Sequence, residues 1–145
     1  MWAGAEDYLM DSIQIIVNKA MRVVCKVGKS VRIKDLQRMT NWFSVKESGK
    51  YHSLMEARRI LNTKQPLYLY TKLAAALQEQ QHVHDTRHGP HQAEPRLALI
   101  RSSWLHRVVA DMRRMPRDLL EMPVGGSRDK SYKTRLRAWV ISDSQ

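Results

Sequence analysis

The chain has 145 residues, about the size of one ordinary domain, which excludes a large multidomain enzyme. Apolar residues make up 43% and charged residues 27%, close to the globular norm, so a modest core is expected and global disorder is not. Lysine and arginine number 25 against 14 acids, a formal net charge of +11 that makes a polyanion the first partner to consider.

From Asp7 to Val27, Leu9, Ile13, Ile16, Val17, Ala20, Val24 and Val27 recur at steps of three and four and predict an amphipathic first helix with this stripe inward. Gly28 is its expected terminator. Val31 to Met39 predicts a short second helix with Val31, Leu36 and Met39 inward and Lys34 and Arg38 outward. Ser44-Val45-Lys46-Glu47 has the spacing of a capping box and opens a third helix, with Phe43 as a hydrophobic staple. Its inward residues are expected to be Tyr51, Leu54, Met55, part of Arg58, and Leu61, and Gly49 weakens it by about 1 kcal/mol relative to alanine.

Pro66 suits the first position of a fourth helix reaching about Gln80, with Leu67, Tyr70, Leu73, Ala74 and Leu77 as its stripe. Periodicity stops from Gln81 to Pro95, where Gly89-Pro90 and the histidines His82, His84, His88 and His91 suggest a mobile loop or linker. Ser102 and Ser103 can cap a fifth helix carrying Trp104, Leu105, Val108, Val109 and Met112 as far as Pro116. A short turn from Arg117 to Met122, a loop at Gly125-Gly126 and a last helix over about Lys130–Ile141, with Tyr132, Leu136, Trp139 and Val140 on one side, complete the chain. The fold class is all-α, a small bundle of about five or six helices with a mobile histidine-rich loop. Residues 1–80 form an N-terminal helical part, 81–101 a linker and 102–145 a basic helical part, expected to make one unit.

Cys25 is the single cysteine, so neither an internal disulfide nor a cysteine-based zinc finger can form within the chain. The first seven residues lack the pattern of a secretion signal, and no apolar run approaches the roughly 18 residues of a membrane span. The expectation is a soluble, intracellular protein, nuclear or cytoplasmic. No paired aspartates, phosphate loop, nucleophile elbow or metalloprotease helix occurs, so neither catalysis nor a cofactor is expected. The histidines of 82–91 match no metal-ligand spacing and read better as a solvated loop than as a metal site.

Arg107, Arg113, Arg114 and Arg117 gather around the fifth helix, and Arg128, Lys130, Lys133, Arg135 and Arg137 crowd the last one, with Trp104, Tyr132 and Trp139 between them. Arginine matches phosphate bidentately and aromatic rings stack on bases, although the helical spacing of Trp104 and Trp139 favours core positions for both. The candidate phosphate-binding residues are therefore Arg107, Arg113, Arg114, Arg117, Lys130, Lys133, Arg135 and Arg137. Replacing Arg113, Arg114 and Arg117 with alanine is expected to weaken binding to all sequences alike. A basic amphipathic helix also suits an anionic membrane surface, and composition does not separate the two.

Further landmarks run along nearly the whole chain. They include Trp2, Leu9, Gln14, Asn18, Ala20 and Arg22, then Trp42-Phe43-Ser44-Val45 followed by Tyr51-His52-Ser53, then Pro66-Leu67-Tyr68-Leu69-Tyr70. Thr86-Arg87, Ser102-Ser103-Trp104, Tyr132-Lys133, Leu136 and Trp139-Val140 follow in order. Together they resemble the C-terminal, post-polymerase region of non-LTR (LINE-type) retrotransposon reverse transcriptases. The chain departs from that pattern at Met112-Arg113-Arg114-Met115-Pro116, where only the proline of the family's Trp-Asn-x-Leu-Pro is kept. The resemblance implies a helical thumb-like segment that grips template and primer without the catalytic palm, with RNA or DNA as partner through the phosphate backbone and a reverse transcriptase palm as a second partner. Competing expectations are a helical protein-interaction module and a remnant of a truncated retroelement, the latter marked by exposed Trp2, Phe43 or Leu69.

Overall fold

The computed structural model describes residues 7–78, 103–120, 122 and 127–143, without the side chains of 7 and 127–129. Seven helices occur among the described residues: α1 Asp7–Cys25, α2 Ile33–Thr40, α3 Val45–Thr63, α4 Leu67–Gln78, α5 Trp104–Arg114, α6 Arg117–Leu120 and α7 Ser127–Asp143. The expected five or six become seven because the Arg117 turn closes as a single helical turn, with the Pro116 carbonyl accepting from the amides of Leu119 and Leu120. The protein is an all-α bundle, and no strand occurs among the described residues. The histidine segment 82–91 lies outside them.

Helix α3 is the axis, packing against α1, α4, α5 and α7. Its capping box forms as the sequence predicts: Ser44 Oγ accepts from the Glu47 amide at 3.2 Å, and Glu47 Oε2 accepts from the Ser44 amide at 2.7 Å. Phe43 packs on Tyr51, with ring centroids 5.2 Å apart, rather than on the residue a staple would use. The helix runs unbroken through Gly49 and buries Ser53, Leu54, Ala57 and Ile60. Leu73 of α4, Val108, Val109 and Met112 of α5, Met115, Leu119 of α6, and Tyr132, Leu136 and Val140 of α7 close the same core. Residues from both halves of the chain therefore share one interior. Arg58 lies over the Tyr132 ring at 3.3 Å and Lys50 over Trp139 at 4.6 Å, so α7 runs antiparallel to α3.

Helices α1 and α2 form an arm on the N-terminal end of α3, joined to it where the Val45 amide donates to Gln14 Oε1 at 2.7 Å. Here the expected stripe is corrected. The inward face of α1 is Met10, Gln14, Asn18, Met21 and Cys25, and Leu9, Ile16 and Val24 of the predicted stripe are exposed. The reason is that α1 has two apolar faces, and the arm uses the one whose Gln14 and Asn18 can satisfy each other, at 2.8 Å, and reach the start of α3. Met39 and Leu67, also expected inward, are exposed, each in the terminal turn of its helix.

Gly28 does not end α1. Lys26 takes the left-handed conformation at φ 54°, donating to the Val23 carbonyl while the Val27 amide donates to the Arg22 carbonyl, which is a Schellman closure built on a lysine. Because an L side chain costs about 1 kcal/mol or more in this region and glycine does not, Lys26→Gly is expected to raise the thermal midpoint by a few degrees. Calorimetry checks it, and a lowered midpoint would contradict this account of the helix end.

Candidate nucleic-acid interface

The eight basic residues singled out from the sequence fall into three groups. On α5, Arg107 and Arg114 are seven residues apart and share the face opposite Val109, whereas Arg113 emerges on another flank. Arg113 donates to the Ala76 carbonyl at 2.7 Å, satisfying one of the end carbonyls of α4, so its first role is structural. Arg117 opens α6 and is exposed. On α7, Arg135 points toward α6 and pairs with Asp118 at 3.7 Å.

Lys130, Lys133 and Arg137 stand at i, i+3 and i+7 along one flank of α7. Lys133 precedes Arg137 by about 6 Å along the axis and Lys130 by about 10 Å, given a rise of about 1.5 Å per residue. Arg137 ends this row half-buried: it donates to the Asn41 carbonyl and lies over the Phe43 ring at 4.4 Å. Lys130 and Lys133 are exposed, and neither forms an ion pair with a described residue.

At Arg137 the row meets an open groove of about 300 Å³ lined by Asn41, Trp42, Phe43, Ser48 and Arg137. The local sequence explains its shape. Asn41 ends α2 in the left-handed conformation at φ 55°, and Ser44 already caps α3, which leaves Trp42-Phe43 as a tight link. Phe43 turns inward onto Tyr51 and the core, and Trp42 stays 44% exposed. Trp104 and Trp139 are half-buried against the core, so Trp42 is the exposed tryptophan among the described residues.

The geometry thus sets a row of cations leading to an aromatic ring at a groove, an arrangement that can follow a phosphate backbone and stack an unpaired base. Sequence reading placed Lys130, Lys133 and Arg137 on the list and missed Trp42 as a surface group. Its signal was a tryptophan in a link too short to bury two adjacent aromatics. Among the described residues no three histidine, cysteine, aspartate or glutamate side chains gather as a metal site, and no helix is long and apolar enough to cross a membrane. No family model, no curated protein and no solved structure matches the chain.

Proposed function

We propose that this chain is a basic, non-catalytic nucleic-acid-binding module that holds RNA or DNA by its phosphates, in the manner expected of the C-terminal region of a non-LTR reverse transcriptase. The observation that carries the reading is the row Lys130, Lys133 and Arg137 running into the groove beside Trp42. The net charge of +11 adds a field that draws a polyanion to any face of so small a body. Phosphate contacts provide affinity without sequence preference, and the exposed indole adds a term specific to unstacked bases.

A titration with single-stranded RNA, single-stranded DNA and duplex DNA, each at low and near-physiological salt, tests it. Binding is expected in the micromolar range or tighter, falling log-linearly with salt, with single strands favoured at equal length. Absence of binding at low salt would sink the proposal.

A further inference from the structure

We propose that Lys34 and Arg38 of α2, with Asn41 at its end, form a second arm of the nucleic-acid track, so that one single strand runs along α7, crosses Trp42 and continues along α2. The inference rests on the nucleic-acid reading above and adds residues which that reading does not use. Lys34 and Arg38 are one turn apart and stand on the side of α2 opposite Leu36, which is fully buried, so the fold of the arm itself turns both cations to solvent. Lys34 forms no ion pair with a described residue. Asp35, the one acid of α2, reaches Arg38 only at 3.8 Å, with the arginine side chain 80% exposed, a surface contact that a phosphate readily replaces.

Three residues after Arg38, Asn41 closes the helix in the left-handed conformation and lines the groove. Its carbonyl is taken by Arg137, whereas its exposed side-chain amide makes no hydrogen bond to a described residue and is free to donate to a phosphate or a base. From Lys34 to Asn41 the chain rises about 10 Å, the same reach as from Lys130 to Arg137. Two rows of donors on separate helices thus converge on the exposed indole. A base stacked on Trp42 in the middle of a strand has phosphates leading away from it in both chain directions, and two rows meeting at that ring give each direction its own donors. At the phosphate spacing of about 3.4 Å per strand, a row of 10 Å serves about three phosphates, and the whole track takes about eight nucleotides.

The test titrates oligouridylates of about four and about twelve nucleotides against the whole chain and three variants. Lys34→Ala with Arg38→Ala is expected to weaken the longer strand roughly 10-fold at near-physiological salt and to lower its salt slope by about 1.4, the single-strand value for two phosphate contacts. The shorter strand, which Trp42 and the α7 row can hold alone, should lose no more than about 2-fold. Lys19→Ala with Lys72→Ala removes the same charge from exposed positions on α1 and α4 and should leave both affinities within about 2-fold. The inference is overturned if the α2 variant binds the longer strand as the parent does, if both lengths lose equally, or if the α1 and α4 variant loses as much, which would make the effect one of net charge. Losses confined to Lys130→Ala with Lys133→Ala would leave the binding module standing and remove its second arm. Absence of binding by the parent at low salt would remove both.

Discussion

Alanine at both Lys130 and Lys133 is expected to weaken nucleic-acid binding by roughly 30-fold at near-physiological salt and to reduce the salt slope on duplex DNA by about 1.8, the value for two lost phosphate contacts. Both side chains are exposed and lie on the flank of α7 opposite the contact between Arg135 and Asp118, so the double variant should keep its melting temperature. Trp42→Ala provides the complementary result. Stacking is worth about 1–3 kcal/mol per base, so single-strand affinity should drop by roughly 5-fold to 150-fold while duplex affinity stays close to its starting value. Arg114→Ala with Arg117→Ala should produce a smaller loss, because these side chains emerge from α5 and α6 rather than along the row that meets the groove. If that pair matters as much as Lys130 and Lys133, the site is diffuse and the groove has no special role.

Arg113 and Arg137 are poor probes of the same question. Arg113 closes the end of α4 through the Ala76 carbonyl, and Arg137 fixes the link between α2 and α3 through the Asn41 carbonyl and the Phe43 ring. Removing either disturbs the bundle as well as the surface charge. Composition and sequence spacing treat all eight cations as equivalent, and only the fold separates those that bind the chain to itself from those that stand in solvent.

The helices were legible where one periodic stripe was the whole pattern. In α5 and α7, Val108, Met112, Leu136 and Val140 are buried as their spacing predicts, and the caps at Ser44 and Ser103 form with the expected hydroxyl acceptors. Reading failed where two patterns shared one helix. The inner face of α1 includes Gln14 and Asn18, whose amides satisfy each other and the start of α3, and an apolar count cannot see a polar contact made 31 residues away in sequence. Helix α3 was half legible for a related reason: packed by neighbours on several sides, it buries Ala57 and Ser53 as well as Leu54, so it lacks a single stripe. The groove was the least legible feature, since it exists only because Arg137 is brought against residues 41–43 from the other end of the chain.

Replacing Lys50 is expected to have the largest effect on stability of any single charged position. Its ammonium sits between α5 and α7, 3.2 Å from Asp111 and 2.5 Å from Asp143, and over the face of Trp139. The lysine side chain is only 16% exposed, and the two carboxylates 21% and 28%, so water compensates poorly for a lost partner. Lys50→Met keeps most of the aliphatic stem and removes the charge, leaving two partly buried carboxylates with no cation between them. Breaking a fully buried pair costs about 3–5 kcal/mol, and with this partial exposure a loss of about 2–3 kcal/mol is expected, or a midpoint lower by roughly 5–10 °C. The origin of the loss can be separated by a cycle. If it comes from stranded carboxylates rather than from lost packing, adding Asp111→Asn and Asp143→Asn to Lys50→Met should restore most of the stability, because the remaining neutral groups no longer repel. A triple variant as unstable as Lys50→Met would show instead that the stem and its contact with Trp139 carry the energy. A Lys50→Met protein within about 0.5 kcal/mol of the parent would mean the three charges make only an ordinary surface pairing.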